Sequence, residues 1–77
     1  MKTININGRE IKTNMGGHYS VRDGNDTKNG VVMIGRWGET EEDMLKRFAE
    51  YGYKRVTFCY SATRVKGYYD LYALCYR

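Results

Sequence analysis

From Arg55 to Cys75 apolar and polar residues alternate, and the parity of that alternation restricts the fold more than any other feature of the chain. Val56, Phe58, Tyr60 and Ala62 occupy even positions, separated by Arg55, Thr57, Cys59, Ser61 and Thr63. On the return, Tyr69, Leu71, Ala73 and Cys75 occupy odd positions, and Asp70 falls in the even set. Side chains of a strand alternate between the two faces of its sheet, so a hairpin with both apolar sets on one face must pair residues whose numbers sum to an odd value. A two-residue Lys66-Gly67 turn gives a sum of 133, which pairs Tyr60 with Ala73 and Phe58 with Cys75; a four-residue loop keeps the same parity. A slip of one residue would drive Asp70 into the core. The opposite face then carries Tyr68, Tyr72 and Tyr76 beside Arg55, Thr57, Ser61, Thr63 and Leu74.

A second hairpin is expected at the start. In Ile4-Asn5-Ile6-Asn7-Gly8-Arg9-Glu10-Ile11, Asn-Gly supplies the positive φ angles of a type I′ turn between alternating strands, so Ile6 faces Arg9 and Ile4 faces Ile11. Asn14-Met15-Gly16-Gly17 breaks this ribbon, Tyr19 to Arg22 forms a short strand, and residues 23–30 are rich in turn formers and connect it onward. Val31-Val32-Met33-Ile34 is a continuous apolar run, short and β-branched, and is read as a central strand near 31–36 ended by Gly35-Arg36-Trp37-Gly38.

Thr40 with Asp43 three residues on forms a capping-box pattern, and Glu39, Glu41, Glu42 and Asp43 stand where a helix dipole favours negative charge. The helix runs over about residues 41–51, with Met44, Leu45, Phe48 and Ala49 on one stripe and Lys46, Arg47 and Glu50 on the other; Gly52 closes it. The expected fold is therefore α+β: a small antiparallel sheet of N-terminal hairpin, central strand and C-terminal hairpin, with the helix on one face against Phe58, Tyr60, Leu71 and Ala73. The C-terminal strand is expected at a sheet edge, where its free backbone could pair with a second copy to give a homodimer.

The 77 residues make one domain, 1–77, whose thin core leaves no room for a deep substrate cavity. Nothing at the N-terminus resembles an apolar signal core, no stretch is long enough to span a bilayer, and a cytoplasmic location is expected. Cys59 and Cys75 project to opposite faces in the expected register, so they do not pair, with Cys75 buried and Cys59 half-exposed. With His18 as the only histidine, neither a zinc site nor a Cys-His nucleophile is assembled. Asp23-Gly24-Asn25-Asp26 resembles the opening of a calcium loop, but Ile34 stands where the loop's closing glutamate belongs. No Gly-rich phosphate loop is completed, and no cofactor is implied.

The net charge of +4 is unevenly spread: residues 54–77 carry five Lys/Arg against one Asp/Glu, whereas residues 39–53 carry two against five. The basic, tyrosine-rich face of the C-terminal hairpin is accordingly the candidate partner-binding site, formed by Tyr68, Tyr72, Tyr76, Arg55, Arg64 and Lys66. It admits three readings. Tyrosine and threonine favour strands, so the face is simply solvated; tyrosine and arginine favour interface hot spots, so it binds a protein; or bases stack on the tyrosines while Arg55, Arg64 and Lys66 take phosphates, so it binds single-stranded nucleic acid.

In format, the chain resembles the small inhibitors encoded by phages and mobile elements, anti-CRISPR proteins among them. The likeness lies in length, the lack of a catalytic constellation and a hairpin that starts at Met1, and it carries no residue motif. It implies a non-enzymatic binding protein that docks on and occludes a larger protein or nucleoprotein. Many such inhibitors are acidic mimics of nucleic acid, and this basic chain departs from them.

Overall fold

The structure, a computed structural model, describes residues 2–17, 20–21, 30–60 and 71–77. The N-terminal hairpin forms as its turn chemistry dictates. Strands β1 (Lys2–Ile6) and β2 (Arg9–Thr13) pair Ile4 with Ile11 and Ile6 with Arg9. Asn7 and Gly8 both take positive φ, 51° and 85°, as a type I′ turn requires. Ile6 and Ile11 are buried and Ile4 packs against them, so the isoleucine face enters the core.

Strand β3 is the pair Ser20–Val21 and β4 is Val31–Ile34. Helix α1 covers Glu41–Glu50 and carries both expected caps. Thr40 Oγ1 accepts from Asp43 N at 3.1 Å, while Thr40 N donates to Asp43 Oδ2 at 3.2 Å, which completes the capping box. At the other end Gly52 (φ +88°) donates to Ala49 O and Tyr53 N donates to Phe48 O, the double bond pattern of a Schellman cap. Met44, Leu45, Phe48 and Ala49 are buried, the stripe expected from their spacing.

Strands β5 (Arg55–Tyr60) and β6 (Leu71–Tyr76) form the C-terminal antiparallel pair. The expected parity is present: Val56 faces Cys75, Phe58 faces Ala73 and Tyr60 faces Leu71. The register lies two residues from the two-residue-turn expectation, with paired numbers summing to 131 instead of 133. A shift of two keeps every side chain on its face, so the apolar set still meets α1. The Lys66-Gly67 turn itself lies outside the described residues.

The sheet order is β1-β2-β5-β6-β4, with β3 also on β5. This departs from the expected arrangement in three respects. The sheet is mixed, because β2 and β3 both run parallel to β5. Among the described residues the run at 31–34 has a paired strand on one side only, so it is an edge strand and not a central one. The C-terminal strand β6 is interior, flanked by β5 and β4, so it is not the edge available to a second copy.

The mixed edge of β5 is stitched by one side chain. Lys12 and Thr13 pair with Arg55 and Val56, and Ser20 and Val21 pair with Cys59 and Tyr60. Between them Phe58 N donates to Asn14 Oδ1 at 2.8 Å, and Asn14 Nδ2 donates to Phe58 O at 3.0 Å. The carboxamide thus stands in for a strand's N–H and C=O where the backbone leaves the ladder. Asn14 does end the ribbon, as the sequence suggests, but it also continues the hydrogen bonding across the gap.

The core lies between the sheet and α1. It joins Ile6 and Ile11 from the hairpin, the helix stripe, Tyr53, Val56, Phe58, Ala73 and Cys75, with Ile4, Met15 and Met33 packed around them. Among the described residues no helix is long and apolar enough to cross a membrane.

Candidate functional site

Of the three tyrosines expected on the open face, the two among the described residues are not open. Tyr72 and Tyr76 are each only 8% exposed and pack with Cys59 and Leu74 in a second buried cluster on the face opposite α1. Thr57 on the same face is buried too. Four side chains on neighbouring strands shield one another, and Tyr76 is covered further from two sides. The Arg55 guanidinium lies 3.9 Å over its ring. Gly30 approaches so closely that a Cβ there would sit 2.9 Å from the ring. Arg55 is exposed as expected, but its cation is committed to Tyr76. Tyr68, Arg64 and Lys66, and also His18, lie outside the described residues.

The cysteines occupy opposite faces, Cys75 in the helix-side core and Cys59 in the second cluster, and both are free and buried. The half-exposed position expected for Cys59 is therefore corrected. Burial pushes the Cys75 thiol up to about 12, only partly offset by the charge of Arg47, so it is a neutral thiol near neutral pH and a poor nucleophile. Among the described residues no three of His, Cys, Asp and Glu gather closely enough to hold a metal ion.

One depression, about 450 Å3 in volume, is lined by Arg9, Glu10, Gly52, Tyr53 and Lys54. One of its two basic residues has a structural explanation: Arg9 Nη1 donates to Ala49 O at 2.9 Å, so its guanidinium complements the carbonyl end of α1, as Arg77 does from outside the lining through Tyr51 O at 3.0 Å.

The feature without such an explanation lies between β4 and α1. Trp37 is 90% exposed and Ile34 67%, with Val31 and Val32 also exposed beside them on β4. Trp37 is presented by a built turn. Glu39 N donates to Arg36 O at 3.0 Å, and Gly38 takes φ +76°, the left-handed angle that a type II turn demands at its third residue. Trp37 is the residue before it, at the tip.

Three interactions anchor the turn to the fold. Arg36 N donates to Glu39 Oε1 at 2.8 Å. Arg47 grips the Glu39 carboxylate with two nitrogens, Nε to Oε2 and Nη2 to Oε1, both at 2.9 Å. Its Nη2 also donates to Ile34 O at 3.0 Å, linking the end of β4 to the helix. The two side chains are only 13% and 11% exposed, and the hydrogen bond from Arg47 holds the Glu39 carboxyl below its ordinary range. At the entry to the turn Gly35 passes close to α1, where a Cβ would lie 3.0 Å from Met44 Sδ.

The sequence assigned Arg47 to the solvated stripe and Glu39 to the helix dipole, and so missed this clamp. The signal for the site was present in another form: a tryptophan between glycines, directly after an apolar run and before a helix cap. No protein-family model, curated protein or solved structure matches the chain.

Proposed function

We propose that the chain is a non-enzymatic binding protein that docks on a larger protein or nucleoprotein through the Trp37 turn and the adjoining apolar side chains of β4. The observation that carries this reading is a nearly fully exposed tryptophan held on a clamped turn. Tryptophan is among the residues most enriched in interface hot spots, and a turn whose backbone is already ordered need not be ordered on association. Docking of this kind would act by occlusion, the mode implied by the chain's resemblance in format to phage and mobile-element inhibitors.

The single-stranded nucleic-acid reading loses support from the burial of Tyr72 and Tyr76, since a base cannot stack on a ring that is already covered. Protein docking is tested by comparing wild type and Trp37→Ala as immobilised baits in nuclease-treated lysate. The expected outcome is a protein retained by wild type and weakened by at least about 2 kcal/mol, roughly 30-fold, on Trp37→Ala. The melting temperature should stay unchanged, because the indole contributes nothing to the core. Retention that disappears with nuclease and falls steeply with salt would instead support nucleic acid.

A further inference from the structure

The two edges of the sheet are built differently. At the β1 edge Lys2, Thr3 and Asn5 are exposed, and a polar edge with a lysine discourages pairing with another strand. At the β4 edge the exposed side chains are Val31, Val32 and Ile34, and residues 30–35 contain no charged residue and no proline. Among the described residues, β4 has a hydrogen-bonded neighbour only on its β6 side. From these observations we infer that the open β4 edge pairs antiparallel with β4 of a second copy of this chain, joining the two sheets into one.

Charge and symmetry select this occupant. The chain carries +4, so two copies repel over much of their surface, yet six successive uncharged residues let these edges approach without opposing like charges. A two-fold axis that relates neighbouring antiparallel strands must stand perpendicular to the sheet. It therefore preserves the faces and pairs residues of equal parity. Val32 and Ile34 pair with Leu74 and Tyr72 and lie opposite α1, whereas Val31 and Met33 pair with Cys75 and Ala73 on the helix side.

Equal parity keeps these sets together. With Met33 at the axis, Val32 of each copy meets Ile34 of the other, and these four side chains form one strip on the face opposite α1. Arg36 then falls opposite Gly30 of the second copy. Both helices lie on the same side, and the two Trp37 turns flank the paired strands at opposite ends. The dimer goes beyond the docking role and does not depend on it; where both hold, the docking surface is bivalent and gains avidity.

A four-residue pairing is a small interface, so association in the micromolar range is expected. Sedimentation velocity across that range should show a monomer–dimer equilibrium. Val32→Lys, at a half-exposed position, should weaken it at least about tenfold while leaving the thermal midpoint of the monomer unchanged. Trp37→Ala should leave the dimer intact. Under mild oxidation the double variant Val32→Cys/Ile34→Cys should form a covalent dimer, since Cys59 and Cys75 are buried and stay silent. A chain that stays monomeric at every concentration overturns the proposal. So does a dimer that survives Val32→Lys and is lost with Trp37→Ala, which would place the contact on the turn.

Discussion

Replacing Asn14 isolates the contribution of a side chain that substitutes for a strand. Asn14→Ala withdraws both bonds, 2.8 Å and 3.0 Å, from the backbone of Phe58, whose side chain is fully buried. Each bond contributes about 1 kcal/mol net, and a backbone group left in a partly buried setting adds a desolvation cost, so the loss is roughly 2–3 kcal/mol. For a domain of this size that corresponds to a fall in melting temperature of roughly 10–20 °C. Asn14→Asp separates hydrogen bonding from packing. An ionised carboxylate cannot donate to Phe58 O, but a protonated one has a donor and an acceptor in the arrangement of the amide. Folding therefore favours the protonated acid and raises its pKa in the folded state. The compensation is complete below the unfolded pKa of aspartate and is lost as pH rises through the folded one. Urea unfolding followed by far-ultraviolet circular dichroism should show the gap between wild type and Asn14→Asp narrowing between about pH 7 and about pH 3. A gap that does not change with pH, or a loss below about 0.5 kcal/mol for Asn14→Ala, would refute the bridging role.

Two further outcomes concern the clamp and the thiols. The Glu39 carboxyl is held below its ordinary range by Arg47, so its stabilisation is present above the unfolded pKa and declines as pH falls through the folded one. Glu39→Gln should cost about 2 kcal/mol at neutral pH, less than a fully buried pair because some exposure remains, and the variant should lose less stability than wild type on acidification. Both cysteines should resist thiol reagents in the native state and react together as urea unfolds the chain; fast native labelling of Cys75 would contradict its burial and its raised pKa.

What the sequence disclosed depended on whether the determining contacts were local. The capping box of Thr40 and Asp43, the stripe of Met44, Leu45, Phe48 and Ala49 and the closing Gly52 lie within one helix, and each has its expected role. The Asn7-Gly8 turn fixes the first hairpin for the same reason. In the second hairpin alternation determines parity, since burying Asp70 is costly, but it cannot choose between sums of 131 and 133, which bury the same face. The parallel pairing of β2 with β5 joins Thr13 to Val56, far apart in sequence, and its bridge is a single asparagine whose composition signals only a turn.

Two tyrosines of the expected contact face are buried, and an exposed apolar run stands elsewhere, on β4. Four consecutive apolar residues suit a strand buried on both faces and equally suit an edge strand whose outer surface a partner covers. The alternation and basic charge of residues 54–77 point instead to the outer face of the C-terminal hairpin and its tyrosines. In the structure β4 lies at the edge with Ile34 exposed, Trp37 is exposed on the turn that follows, and Tyr72 and Tyr76 are buried with Cys59 and Leu74. The energetics of the turn support the same exchange. The Glu39–Arg47 pair, the Gly38 angle and the bond from Arg47 to Ile34 O order a segment whose largest side chain remains in solvent. Ordering a backbone residue costs about 1–2 kcal/mol, and here the clamp rather than burial of the indole offsets it. A partner that covered the indole would gain its contact area on a backbone already ordered, leaving the side-chain rotamer as the part still to be fixed.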